Sequence, residues 1–298
     1  MARTEEFFVR CRGKDGKDPG VLPDPVFLPA AVTRCEGRAE DGLGVILLHG
    51  AGGDLHGGHM DGTAEALAEG LRAPVFRVTM ASPDLNYRLR AAHGLMLHAA
   101  EAEGVERFVL AGQSNGARVA CELASQMVAL VRADGASAAD PHPKAGPPGM
   151  LIASLSETRP IAGVALFSYP LHAPGNPAET RAREVRGALA AARDARGGGA
   201  AAPFPVVFVR GDRDAFARED AWEAFVAEME REFAWRRSES VHVVKGGDHG
   251  LLVAKAAEKG TEEARGEAAA FVCARMTGAG KNARGGKRRR ERGGGKAG

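Results

Sequence analysis

Short apolar runs alternate along this 298-residue chain with longer amphipathic stretches, and this alternation limits the possible folds more than any other feature. The run Val45–Leu48 is continuously apolar and is closed by Gly50, as expected for a strand that is buried on both faces. The stretch Asn115–Val131 carries apolar residues at helical spacings of three and four. Such alternation predicts parallel strands joined by right-handed helical crossovers. We therefore predict an α/β fold, with a mostly parallel central sheet and helices on both faces.

The same pattern places the other elements and the boundaries. The predicted strands are 45–48, 74–78, 107–111, 161–167, 205–209 and 241–244. The predicted helices are 62–71, 88–102, 115–131, 179–193, 220–233 and 251–276, with loops at 133–148 and 195–202. We divide the chain into N-terminal strands and a lead-in (1–42), the α/β domain (43–277) and a disordered basic tail (278–298).

Composition excludes several classes of protein. The four cysteines are far apart in the sequence and form no CxxC pair, which argues against a disulfide scaffold or a zinc module and fits a reducing compartment. No apolar stretch approaches the roughly 20 residues of a membrane span, and the first residues lack an apolar signal core. We predict a cytoplasmic protein that binds no membrane, no metal ion and no cofactor.

The tail is the one strongly charged segment. The chain has a net charge of +2, yet residues 281–298 hold eight basic residues and one acid. The run Lys287–Arg292 is typical of a nuclear import signal or a weak, non-specific nucleic-acid contact, and a solubilising terminus explains it equally well. Because the tail contains no aromatic residue for base stacking, nucleic-acid binding through it would be electrostatic and sensitive to salt.

The motif Gly112–Gly116 (G-Q-S-N-G) lies between a predicted strand and a predicted helix. A G-x-S-x-G sequence at such a junction is the nucleophile elbow, in which the serine occupies a strained turn and the flanking glycines avoid collisions with neighbouring backbone. The following helix N-terminus favours developing negative charge. Ser114 is therefore the candidate nucleophile.

A serine nucleophile needs a base and a carboxylate that orients the base, which follow the elbow in the order acid then histidine. Asp212 and Asp214 follow the strand 205–209, and His249 follows the strand 241–244. Carboxyl ends of parallel strands gather at one edge of a sheet. We predict His249 as the base and Asp214, ahead of Asp212, as the acid; Asp248 adjoins the base too closely in the backbone to orient it.

The remaining requirement is a pair of backbone donors for the oxyanion. The glycine-rich turn His49–Gly53 follows the first clear strand, and the predicted donors are the amides of Ala51 and Asn115. The turn lacks the P-loop and dinucleotide-binding patterns, which argues against nucleotide binding. Four side chains near these motifs are predicted to contact substrate: His49, Gln113, Tyr169 and His172.

Together the motifs resemble the testis-expressed protein 30 type of α/β-hydrolases, related to dienelactone hydrolases and to the hydrolase-like domain of the third subunit of the NSL histone acetyltransferase complex. The similarity covers about Gly42–Val253. The matching segments are Val45–Asp54, Phe76–Thr79, Asn86–Arg90, the Ser114 elbow with Arg118, Phe167–His172, Gly211–Asp214 and Asp248–His249. Gln113 and Asn115 differ from the family pattern, which has a basic residue and methionine there.

The resemblance implies an α/β-hydrolase fold with Ser114 as nucleophile, Asp214 as acid and His249 as base. With the motifs, it predicts a serine hydrolase of the carboxylesterase kind that cleaves a small carboxylic ester, thioester or related acyl bond. One branch of the family belongs to a chromatin complex. The alternative is therefore a non-catalytic scaffold that binds protein partners, nuclear ones among them.

Overall fold

The computed structural model describes most of the chain. The described residues are 1–11, 26–36, 42–135, 160–173, 175–195, 204–233, 235–254 and 260–277. The predicted basic tail (278–298) and most of the two predicted loops lie outside these residues.

The centre of the molecule is an eight-stranded sheet with the order β1-β2-β4-β3-β5-β6-β9-β10. The strands are β1 (Arg3–Cys11), β2 (Val26–Arg34), β3 (Leu43–Leu48), β4 (Val75–Val78), β5 (Arg107–Gln113), β6 (Ile161–Phe167), β9 (Val206–Gly211) and β10 (Val241–Val244). From β4 to β10 every neighbouring pair is parallel, whereas β1 and β2 are antiparallel to each other and β2 is antiparallel to β4. The mostly parallel sheet is thus confirmed.

Helices cover both faces of this sheet. They are α1 (Met60–Leu71), α2 (Leu85–Glu101), α3 (Asn115–Gly135), α4 (Ala182–Ala195), α5 (Glu219–Glu232), the short α6 (Arg237–Ser240) and α7 (Thr261–Met276). The buried residues of α1 and α7 belong to one apolar core, and those of α2, α3, α4 and α5 belong to the other. No helix in the described ranges has the length and apolar character to cross a bilayer.

Strand β3 shows why its sequence is continuously apolar. Ile46 and Leu48 pack into the core with α2 and α3, while Val45 and Leu47 pack into the core with α1 and α7. Side chains alternate between the faces of a strand, so a strand between two helical layers needs apolar residues at every position. The three-layer α/β architecture follows from such strands.

Two predicted helices begin too early, in residues that are not helical. Residues Asn176–Thr180 form strand β8, which pairs with β7 (His172–Ala173), so the helix predicted from residue 179 begins at Ala182 instead. The last helix begins at Thr261 and not at Leu251. Leu251 has a φ of 56°, and the Asp248 carboxylate accepts hydrogen bonds from the Gly250 and Leu252 amides. This turn stops a helix from beginning there.

The two predicted loops begin inside helices. Helix α3 continues to Gly135, beyond the expected start at residue 133, and α4 ends at Ala195, where the second loop was expected to begin. The N-terminal strands predicted within residues 1–42 join the central sheet through the pairing of β2 with β4.

Candidate active site

The Ser114 turn joins β5 directly to α3. Its backbone φ is 52°, in the left-handed region that non-glycine residues rarely occupy, and its amide donates to the Phe167 carbonyl at 2.9 Å. A Cβ at position 116 would lie 2.1 Å from the Leu48 carbonyl oxygen, and one at position 112 would lie 2.3 Å from Gly116. Both flanking glycines are therefore required by close backbone contact.

Three side chains from separate loops meet at this turn. The Ser114 Oγ lies 2.8 Å from His249 Nε2, and His249 Nδ1 lies 2.9 Å from each carboxylate oxygen of Asp214. The Asp214 side chain is fully buried, whereas 23% of the His249 side chain is exposed. Because Nδ1–H donates to the carboxylate, Nε2 is left to accept the serine hydroxyl proton. The arrangement can move a proton from serine to imidazole.

The other two aspartates of these loops have different partners. Asp212 accepts a hydrogen bond from the Gly246 amide at 2.7 Å and so ties the loop after β9 to the loop after β10. Asp248 accepts from the amides of Gly250 and Leu252 and closes the turn that carries His249. Of the three acids, Asp214 is the one hydrogen-bonded to the imidazole.

Phe216 supports the imidazole, and the sequence analysis missed it. Its ring stacks on the His249 ring with centroids 4.1 Å apart, and its amide donates to Asp214 Oδ1 at 2.8 Å. The carbonyl of Phe216 accepts from the His172 amide. The only signal in the sequence was that Phe216 lies two residues after the predicted acid, and this does not reveal that its ring stacks on His249.

The glycine-rich turn after β3 lies against the elbow. A Cβ at position 50 would lie 3.2 Å from Ser114 Cβ and 3.8 Å from its Oγ, so the backbone of Gly50 passes beside the hydroxyl. Ala51 is the next residue, and Asn115 follows the serine as the first residue of α3. The structure thus brings both predicted oxyanion donors into the neighbourhood of Ser114.

Three of the side chains predicted to contact substrate have polar atoms that already bind protein groups. His49 and His172 are each 1% exposed. His49 accepts from the Met80 amide at Nε2 and donates to the Gly50 carbonyl from Nδ1, at 2.8 and 2.7 Å. His172 contacts the Arg218 amide and the Ala173 carbonyl in the same way. These two histidines hold loops in place. Gln113 is half-buried beside the serine and remains a predicted contact.

Tyr169, the third of these residues, belongs to a polar cluster behind the elbow. Its hydroxyl donates to the Arg181 carbonyl and lies 3.5 Å from Glu184, and burial raises its pKa well above the usual value. Glu184 is buried and pairs with Arg118 of α3 at 2.6 Å. The cluster joins α3 to α4 and holds the elbow helix.

Burial lowers the pKa of three histidines to about 4: His49, His59 and His93. In the unfolded chain each imidazole would bind a proton near its ordinary pKa of 6.5. Between these values the unfolded state binds more protons, so the stability that these residues contribute is lost as the pH falls from about 6.5 to 4.

We expect the free energy of unfolding to decrease by roughly 1–2 kcal/mol per buried histidine between pH 7.5 and pH 5. Urea unfolding at the two pH values measures this decrease. His93→Leu should reduce it, since His93 is buried in α2 and its Nε2 has no hydrogen-bond partner among the described residues. Equal stability of the wild-type protein at the two pH values would contradict the expectation.

No group of three or more His, Cys, Asp or Glu side chains suited to a metal ion occurs within the described residues.

Comparison with known proteins places this architecture in a family. The profile of a family described as alpha/beta hydrolase domain matches residues 42–277. The chain belongs to this alpha/beta hydrolase family. The match begins and ends close to the predicted domain limits, and the predicted α/β-hydrolase fold is confirmed. Comparison with curated proteins finds no significant match.

Solved structures support the same fold at low identity. An esterase from Pyrobaculum calidifontis matches with a TM-score of 0.53 at 14% identity, over 93% of this chain and 86% of its own. A serine hydrolase without lid from Xanthomonas campestris, XC6422, matches with a TM-score of 0.50 at 15% identity, over 90% of this chain and 94% of its own. A dienelactone hydrolase from Anabaena variabilis matches with a TM-score of 0.51 at 12% identity, over 92% of this chain and 98% of its own.

Proposed function

We propose that this alpha/beta hydrolase is a serine hydrolase that cleaves a small carboxylic ester, thioester or related acyl bond. The observation that carries the proposal is the continuous hydrogen-bonded chain from Ser114 through His249 to the buried Asp214. A nucleophile, a base and an orienting carboxylate in this order are the requirements of acyl transfer through serine. The family match and the solved structures support the hydrolase class.

In the proposed mechanism Ser114 Oγ attacks the acyl carbon as His249 Nε2 takes its proton. Asp214 holds the imidazole in the required tautomer and stabilises the imidazolium that forms. The Ala51 and Asn115 amides donate to the oxyanion of the tetrahedral intermediate. His249 then returns the proton to the leaving group, and the acyl-enzyme forms. Water then attacks the acyl-enzyme as His249 Nε2 takes one of its protons, and the imidazole passes this proton to Ser114 Oγ as the acyl–oxygen bond breaks and the acid is released.

We infer a small or exposed substrate. Fewer than 40 residues separate β6 from β9, and the described part of this interval contains a two-stranded sheet and α4, with no room for a separate lid domain. The partial exposure of the His249 side chain is compatible with direct access from solvent. XC6422, which shares the fold, is itself described as a hydrolase without a lid.

We also propose the narrower relationship suggested by the sequence motifs, to the testis-expressed protein 30 type of hydrolase. The proposed location is the cytoplasm, and Lys287–Arg292 is the segment proposed for nuclear import or weak nucleic-acid contact. These assignments rest on the sequence, since the tail lies outside the described residues.

A fluorophosphonate probe tests the proposed function, because it reacts covalently only with an activated serine. We expect the wild-type protein to be labelled, and to hydrolyse p-nitrophenyl acetate and butyrate faster than the palmitate ester. His249→Ala should abolish labelling while the protein remains folded. A folded wild-type protein that is neither labelled nor active on any ester would overturn the proposal and favour the non-catalytic scaffold.

A further inference from the structure

Arg88 in α2 is buried, with none of its surface exposed, and it contacts the turn beside Ser114. The guanidinium donates to four backbone carbonyls. Its partners are His49 O (2.7 Å), Ser82 O (2.8 Å), Gly50 O (3.0 Å) and Met80 O (3.4 Å). Two of these carbonyls belong to the turn that precedes the predicted oxyanion donor Ala51.

The charge of Arg88 is unusual in having no acidic partner among the described residues. Two other described arginines are fully buried, and each pairs with a carboxylate, Arg77 with Asp61 and Arg210 with Glu219. Burying an unpaired charge is expensive, and burial accordingly lowers the pKa of Arg88. The charge of Arg88 is compensated by carbonyl dipoles instead of a carboxylate. Packing of α2 alone does not require such a charge, so another role for it must be sought.

Peptide geometry connects this charge to the donor. The Gly50 carbonyl and the Ala51 N–H belong to one planar trans peptide, in which they point in opposite directions. The Gly50 oxygen accepts from Arg88 Nη2, from His49 Nδ1 at 2.7 Å and from the Gly53 amide at 3.3 Å. Three donors on one oxygen fix the direction of the Ala51 N–H and, by polarising the peptide, strengthen it as a donor.

The second donor is tied to the same structure. Asn115 Nδ2 donates to the Pro83 carbonyl at 3.0 Å, and the neighbouring Met80 and Ser82 carbonyls accept from Arg88. The Met80 amide in turn donates to His49. Residues 80–83 thus link the backbone of the glycine-rich turn to the first residue of α3.

We propose that Arg88 is a positioning residue that orients and polarises the Gly50–Ala51 peptide for oxyanion binding. The proposal rests on the proposed hydrolase function, and it assigns Arg88 no contact with substrate. Arg88 should stabilise the transition state more than the bound substrate, because negative charge develops on the substrate oxygen only during the reaction. Its positive charge and the peptide that it orients both act on that oxygen. Substitution should therefore lower kcat and leave KM nearly unchanged.

The experiment compares Arg88→Lys and Arg88→Met with Arg77→Lys and Arg77→Met. Arg77 is equally buried but bonds to Leu55, Asp61 and Thr33, so its variants control for the loss of a buried arginine. Steady-state kinetics on p-nitrophenyl butyrate are normalised to the fraction of protein that the fluorophosphonate labels. Each protein is also assayed on a matched pair of phenyl butyrate and its thionoester, whose C=S group accepts hydrogen bonds poorly.

Removal of one oxyanion donor costs about 10²–10³ in rate, and a donor that is only loosened should cost less. We expect kcat to fall about 10- to 100-fold in Arg88→Met and less in Arg88→Lys, which keeps the charge, with KM within about threefold. The preference for the ester over the thionoester should fall about tenfold in Arg88→Met and remain unchanged in the Arg77 variants.

Two results would overturn the proposed role of Arg88 and leave the proposed hydrolase function intact. One is a wild-type enzyme that is active while Arg88→Met keeps its kcat and its preference for the ester. The other is an equal loss of kcat in the Arg77 and Arg88 variants, which would reduce Arg88 to a packing residue. An unlabelled and inactive wild-type protein would instead overturn the proposed function, and this proposal with it. Arg88→Lys keeps the test decisive if Arg88→Met does not fold.

Discussion

Ser114→Ala should abolish ester hydrolysis, lowering kcat by about 10⁴- to 10⁶-fold. The loss is expected because the hydroxyl hydrogen-bonded to His249 would be the only atom to bond covalently to substrate. The fold should remain, since the substitution removes one oxygen and alanine occupies the same backbone conformation at similar cost. Steady-state kinetics and fluorophosphonate labelling of the purified variant measure the loss of the nucleophile, and circular dichroism measures whether the fold is retained.

Ser168→Ala is the matched control for this substitution. Ser168 also follows a central strand, has a φ of 48° and is fully buried, and its Oγ has no hydrogen-bond partner in the described part of the chain. It differs from Ser114 in lacking the bond to an imidazole. We expect Ser168→Ala to retain labelling and kcat within about threefold. Full activity in Ser114→Ala, or its loss only in Ser168→Ala, would show that the nucleophile is misassigned.

Asp214→Asn should reduce kcat/KM by about 10³- to 10⁴-fold. Both carboxylate oxygens lie 2.9 Å from His249 Nδ1 and fix the tautomer that leaves Nε2 free to take the serine proton. An amide can instead donate to Nδ1, which puts the proton on Nε2 and removes the base. Kinetics over a range of pH, on protein whose folding is checked by thermal unfolding, measure the effect.

Asp212→Asn is the control for Asp214→Asn. It tests whether the loss of kcat/KM depends on where the carboxylate lies and not only on its charge. Asp212 lies two residues earlier and accepts from the Gly246 amide, which an asparagine oxygen can also do. We expect its kcat/KM to stay within a few-fold of the wild-type value. A larger loss in Asp212→Asn than in Asp214→Asn would reverse the assignment of the acid that orients His249.

The three predicted site residues lie together in the structure for a topological reason. Ser114, Asp214 and His249 each follow a strand of a parallel sheet, and such strands end at a common edge. The sequence therefore indicated which loops would meet. The order of nucleophile, acid and histidine along the chain then indicated which loop would supply the acid and which the base. The choice between Asp212 and Asp214 was harder, because two carboxylates in one turn differ only in where the backbone directs them.

Sequence reasoning did not foresee the protein partners of polar residues within the apolar layers. His49, His172 and Tyr169 lie next to site motifs, and proximity in the chain suggested contact with substrate. Their polar atoms instead satisfy buried backbone groups, which carry a cost when unpaired. Arg88 and Phe216 were missed for the opposite reason, since their roles depend on turns that are distant in sequence or on ring orientation.

The sequence by itself determined the alternation of strand and helix, the strained Ser114 turn and the order of the three site loops, because periodicity and glycine spacing are local properties of the chain. Only the tertiary structure decided which carboxylate meets His249 and which buried groups hold the turn beside Ser114. Those outcomes depend on distances of 2.7–3.0 Å between residues that lie 35 to 135 positions apart. Such distances are set when the sheet and both helical layers pack together, and no local pattern encodes them.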